Sequence, residues 1–205
     1  QSCNDGNANT IYDAWDSNCQ CIGVPAVSGG NHSCGANNVH NPNLNYGTVT
    51  DHEGNVYRTI HIGLQEWMAE NLKVSTYRNG DPILSNLNNT DWSSTSQGAW
   101  SYPGGGSSLE CPYGKLYNWY AVSDARGVCP SGWHVPSDGE WTFLASYIAD
   151  QLTDVAKSMK SNGSSYWGPN DFTNASGFSG LPGGFRENNG LYPMFGTHVF
   201  WWSST

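Results

Sequence analysis

Apolar and polar positions alternate most clearly around residue 50. Thr48-Val49-Thr50 and Val56–Ile62 flank Asp51-His52-Glu53-Gly54-Asn55, a hairpin pattern with a glycine in its loop. In the second strand, Val56, Arg58, Ile60 and Ile62 share one face and Tyr57, Thr59 and His61 the other. Glu66–Leu72 reads as a short helix anchored by Trp67 and Leu72. Residues 79–110, rich in Asn, Ser and Gly, read as a long loop, and Tyr113–Val122 as a buried helix. The sharpest local signal is Ser137-Asp138-Gly139-Glu140, a capping box with Ser137 as N-cap and Glu140 three positions on. Trp141, Leu144, Ala145 and Ile148 follow at helical spacing, and Leu152, Val155, Ala156 and Met159 repeat it. After Asn162, Gly, Asn, Pro and aromatics predict short strands and turns.

Upstream of this body the pattern changes twice. Residues 1–22 form a compact polar Cys-rich unit, and residues 23–47 contain no Asp, Glu, Lys or Arg. The second stretch reads as an extended arm or linker, with Val24, Val27, Val39 and Leu44 as its apolar anchors. The expected organisation is an N-terminal module at 1–22, an arm at 23–47 and a domain at 48–205.

Composition narrows the function. Of 205 residues only 12% are charged, about half the usual share, while 13% are aromatic and 22 are Asn. Eight basic against 17 acidic residues give a net charge of −9, which disfavours nucleic acid as a partner. No stretch approaches the roughly 20 apolar residues of a membrane span. Such a surface relies on neutral hydrogen bonding and stacking, which suits sugar binding or protein–protein packing.

Six cysteines, Cys3, Cys19, Cys21, Cys34, Cys111 and Cys129, favour disulfides and an oxidising compartment. Zinc is the rival for the early four, but Cys19-Gln-Cys21 lacks the usual knuckle spacing. Cys19 and Cys21 are too close to bridge each other comfortably, so each is expected to reach Cys3 or Cys34. Cys111 and Cys129 remain as a pair within the body. A chain beginning at Gln1 is expected to have lost a secretory signal. Sequons occur at Asn31, Asn88, Asn162 and Asn174.

Candidate chemistry is sparse. Glu66 and Glu70 read as an i,i+4 pair on one helix face, unable to straddle a glycosidic bond, and Asp138 and Glu140 are explained by the helix start. The six histidines form no H-x-x-x-H or H-x-H pair, and His134 in GWHVPSD reads as packed or capping. Calcium is the one cofactor with a donor set: Asn4, Asp5, Asn7, Asp13 and Asp16 surround Gly6, against the plainer reading of an Asx-rich turn. Trp92, Trp100 and Tyr102 in the long loop are the candidate sugar-stacking or subunit-contact aromatics. Trp67, Trp119, Trp133 and Trp141 read as core.

Several stretches together resemble one family. VTDHEGNVYRTIHIGLQEWMAENLK at 49–73, YGKLYNWYAV at 113–122, CPSGWHVPSDGEW at 129–141, SGFSGLPGGFR at 176–186 and WWSST at 201–205 resemble the Fibrobacter succinogenes major paralogous domain. The resemblance implies a loop-rich α+β fold, C-type-lectin-like, with two main helices and short antiparallel strands. It also implies a secreted or cell-surface bacterial protein and carries no catalytic activity with it. The N-terminal unit resembles short Cys-rich modules of secreted proteins from the same bacteria. The family pattern continues past a WWSST-like segment with further strands, so a sheet edge is expected where this chain stops, and the uncharged arm is a candidate cover, in cis or donated to a neighbour.

The expectation is therefore a non-enzymatic, disulfide-stabilised structural or adhesive surface protein that self-assembles into filaments through its arm. The alternative is a lectin-like module for extracellular polysaccharide.

Overall fold

The computed structural model describes residues 3–4, 6, 10–15, 20–25, 30–162 and 164–205. The architecture is mixed, with small antiparallel sheets and mostly short helices. Strands β1 (Thr10–Trp15) and β2 (Cys21–Pro25) form an antiparallel hairpin, and a Cys3–Cys21 disulfide ties the chain start to it. Val24 lies in β2 opposite Ile11. Cys19, Val27, Asp5, Asn7 and Asp16 lie outside the described residues.

The central sheet has the order β3-β4-β5, all antiparallel: β3 (Gly47–Thr50), β4 (Val56–Ile62) and β5 (Gln65–Met68). The expected hairpin at 48–62 is present, with Thr50 opposite Val56. Asp51 shapes its turn by accepting from the Glu53 and Asn55 amides and from the Tyr57 hydroxyl. As the middle strand, β4 is covered on both faces over Tyr57–Ile60. The helix expected at Glu66–Leu72 is instead β5 and the segment after it. Glu66 pairs opposite His61, and four residues with Trp67 turned inward satisfy their backbone by completing a sheet.

Residues 79–110 contain α1 (Asn89–Ser94), β6 (Trp100–Ser101) and two short 3-10 turns. The buried helix expected at Tyr113–Val122 is broken up. It becomes α2 (Glu110–Tyr113), β7 (Leu116–Tyr117) paired with β6, and α3 (Trp119–Val122). Gly114 ends α2 at φ 70° and ψ −148°, a conformation reserved for glycine, and Trp119 and Tyr120 stay exposed. The capping box is realised: Ser137 and Glu140 bond reciprocally at the start of α4 (Asp138–Leu152). Two short helices follow, α5 (Val155–Met159) and α6 (Ser164–Trp167).

Two cores result. In the first, Ile60, Ile62 and Trp67 of the sheet meet Leu144 and Ile148 of α4, together with Tyr46 and Phe178. In the second, Val74, Tyr77, Ile83, Trp100, Ala121 and Val128 pack together. Residues 30–47 do not form a free arm. Val39 and Tyr46 are fully buried and Leu44 packs against the first core. Asn41 Nδ2 donates to the Asn174 carbonyl, Tyr166 donates to the Asn37 carbonyl, and Cys34 is bridged to Cys111. The uncharged stretch is easy to bury, and the chain buries it in its own body, so Val39 and Leu44 are core residues and not donated anchors.

The Cys34–Cys111 bridge also corrects the expected Cys111–Cys129 pair, and Cys129 is a free thiol. Docking of the 30–47 segment brings Cys34 within a Cα distance of 6.0 Å of Cys111, which no local spacing reveals.

Candidate functional site: an aromatic cleft

One concavity is a cleft of about 1030 Å³ walled by five stretches that the sequence keeps apart. They are Gln65–Met68 of β5, Tyr117–Tyr120 around α3, Trp133–Pro136 before α4, and the late segments 183–186 and 199–202. The last segment is fixed by both neighbours. The Ser204 amide donates to the Pro136 carbonyl and the Asp138 amide to Thr205 Oγ1. Trp141 Nε1 donates to the Trp202 carbonyl, and Trp202 Nε1 donates to the Tyr117 carbonyl at 2.8 Å.

The adjacent tryptophans of this segment divide two tasks. Trp201 stacks on Trp141 with 5.7 Å between centroids and meets Phe178 edge-on. A Cβ on Gly180 would come within 3.0 Å of it, so a glycine there gives the indole its room. Trp202 packs against Trp119 at 5.7 Å, and the two remain 47% and 41% exposed. Phe200 is 51% exposed and meets Phe185 edge-on. These large aromatic faces point to water although their cost in exposed apolar area is high, which makes the cleft the candidate binding surface.

This inverts the expected division of aromatics. Trp92 and Trp100 are buried and Tyr102 is half-buried against the second core, Trp100 lying edge-on to Tyr102. They are packing residues, not stacking platforms. Trp119, expected in the core, is an exposed face, whereas Trp67 is buried and Trp141 half-buried as expected.

Several charged groups along the cleft are held by protein partners. Glu140 accepts from the Ser137 amide and hydroxyl and lies 2.8 Å from the exposed His134, contacts that hold its carboxyl below the usual range. Glu66 lies 3.7 Å from His61. Arg186 is stacked over Trp92 at 4.2 Å and donates Nη2 to the Leu87 carbonyl. Lys115 Nζ donates to the Lys73 carbonyl and Ser75 Oγ and pairs with Glu110. Burial pushes the Cys129 thiol up to about 11, so it stays protonated and is a poor nucleophile.

A second cluster lies beneath β5 and ties residues 30–47 to the body. Glu70 accepts from the Ser33 amide and hydroxyl and faces His40 Nε2 at 2.9 Å. His40 Nδ1 reaches Ser179, which also bonds Asn174. His32 stacks on His40, and its Nε2 has no protein partner. Glu66 and Glu70 are therefore not a pair on a helix face: one is at a strand edge and the other is buried. The sequence lists these groups, but their partners are 30 to 139 residues away and no local pattern joins them.

Of the expected calcium donors, Asn4 accepts from the Gly6 amide in an Asx turn, and Asp13 lies in β1. Among the described residues no group of three or more His, Cys, Asp or Glu is placed to hold a metal ion, and no helix is long and apolar enough to cross a membrane. The two disulfides fit an oxidising compartment.

No curated protein and no solved structure gives a significant match. The family described as the Fibrobacter succinogenes major domain matches residues 60–205, which takes in the second core, the first core except Tyr46 and Leu44, and every wall of the cleft. The chain belongs to the Fibrobacter succinogenes major domain family.

Proposed function

We propose that this surface protein is a non-enzymatic, C-type-lectin-like adhesion module that holds extracellular polysaccharide in the aromatic cleft. The observation that carries the reading is the set of exposed, rigidly held aromatic faces at Trp119, Phe200 and Trp202 lining one concavity. Sugar rings bind by laying C–H faces on such rings. An indole whose N–H is already bonded, as in Trp202, is pre-organised for that contact. The engaged carboxylates and the protonated thiol support binding over catalysis. A general acid needs a carboxyl raised toward neutrality, and Glu70 and Glu140 are both shifted the other way. Adhesion through the cleft takes the place of assembly through the arm, because residues 30–47 are packed in cis.

Affinity gel electrophoresis against a panel of soluble polysaccharides tests this. The expected result is retardation by at least one polymer, lost in Trp119→Ala and Phe200→Ala while the melting temperature is kept. No retardation by any polymer would overturn the reading. So would variants that lose binding only by unfolding, since the aromatics would then be core.

A further inference from the structure

Resting on that polysaccharide reading, we infer that the cleft selects neutral polymers of sugars with all-equatorial substituents and rejects their acidic counterparts. Charge is the first argument. Lys115 bonds Lys73 and Ser75 and pairs with Glu110, while the Arg186 guanidinium lies over Trp92 with Nη2 on Leu87 and Asn89 and its Nε without a hydrogen-bond partner. Glu66 and Glu140 stand on the same walls, and the chain as a whole carries −9. A sugar acid would bring one carboxylate per ring into a field in which the wall carboxylates Glu66, Glu70 and Glu140 outnumber Lys115 and Arg186. A hydroxyl both donates and accepts, so it can use carboxylates and peptide groups alike.

Ring stereochemistry is the second argument. Trp119 and Trp202 lie 5.7 Å apart and tilted by 52°, presenting broad indole faces. The face of an aromatic ring is negative. A pyranose with equatorial hydroxyls presents axial C–H groups, slightly positive, on both faces. An axial hydroxyl places an oxygen against the ring instead.

The test uses the full chain with four purified polymers: a mixed-linkage β-glucan, a xylan, a β-mannan with its axial hydroxyl, and a C6-oxidised β-glucan (a polyglucuronate). Titration calorimetry is expected to give binding to the first two and at least tenfold weaker binding to the others. Raising the salt from 0.05 to 0.5 M should narrow the gap for the polyglucuronate but not for the mannan, because only the former is electrostatic. Polyglucuronate or mannan bound as tightly as β-glucan would overturn the selectivity while leaving the polysaccharide reading intact. Binding of none of the four, with retardation by some other neutral polymer in the wider panel, would overturn the equatorial assignment alone. Silence across the whole panel would remove the underlying reading.

Discussion

His40 Nε2 lies 2.9 Å from Glu70 Oε1, and neither side chain has any exposed surface. This contact joins the uncharged N-terminal stretch to the segment after β5, and it makes the fold sensitive to acid. Burial acts to raise the Glu70 carboxyl, but His40, His32 and Ser33 outweigh it and bring it down to about 2. Burial pushes His32 down to about 4 against the pull of Glu70, and it lowers His40 too.

Stability is therefore expected to fall in two stages as pH drops. Unfolded His32 takes up its proton near 6.5 and folded His32 only near 4, so stability is full above 6.5 and is lost between those values, by on the order of 3 kcal/mol. Unfolded Glu70 protonates near 4.5 and folded Glu70 near 2, which extends the loss through that lower window. Melting curves from pH 8 to 2 check this. His32→Gln should flatten the upper stage, and Glu70→Ala should cost about 1–3 kcal/mol at neutral pH by leaving the buried Ser33 and His40 groups without their acceptor. A melting temperature flat from pH 7 to 4 would show that the cluster is solvated.

The Cys34–Cys111 bridge closes a long loop, with a sequence separation of 77. Replacing both cysteines by serine is expected to cost about 4 kcal/mol, or about 10 °C in melting temperature. Cys129→Ala, at a half-buried free thiol, should move it by less than about 3 °C. Peptide mapping without reduction should recover a Cys34–Cys111 peptide; a Cys111–Cys129 peptide would contradict the structure.

What the sequence reveals and what it hides separate along contact range. The Ser137–Glu140 box and the 48–62 hairpin are local, formed by residues three to twelve apart, and both are legible. Glu66–Leu72 misleads because pairing with β4 overrides a weak helical preference in a short segment. The arm misleads because absence of charge reports only that a segment can be buried, not in which molecule. The aromatics mislead for a related reason. Trp100 and Trp119 have the same intrinsic apolarity, and only the surrounding packing leaves one face free.

That inversion has its own consequence. Trp100→Ala should destabilise by about 3–5 kcal/mol as a cavity in the second core, while Phe200→Ala should cost less than about 1 kcal/mol. Gly114→Ala should behave like the core change. Its Cβ would lie 2.7–2.9 Å from Asn71 and Leu72 atoms, two of them backbone oxygens, and its backbone conformation suits glycine alone. Denaturant unfolding ranks the three; equal costs at Trp100 and Phe200 would contradict the assignment.

The four sequons are not equivalent. Asn174 is fully buried, with Nδ2 donating to Ser179 and the Val39 carbonyl, and Asn88 is the N-cap of α1. Asn31 and Asn162 are exposed. If the native protein carries N-linked sugar, glycopeptide mass spectrometry should find it at Asn31 or Asn162 and never at Asn174. Occupancy at Asn174 would mean that the packing of 30–47 against the late loops is wrong.

The central claim is that the cleft is a binding surface for polysaccharide. Titration calorimetry of the intact chain and its Trp119→Ala variant with mixed-linkage β-glucan tests it most directly. The account predicts saturable binding by the former, at least a tenfold loss in the variant, and melting temperatures within about 3 °C of each other. Equal affinity in both proteins would contradict it.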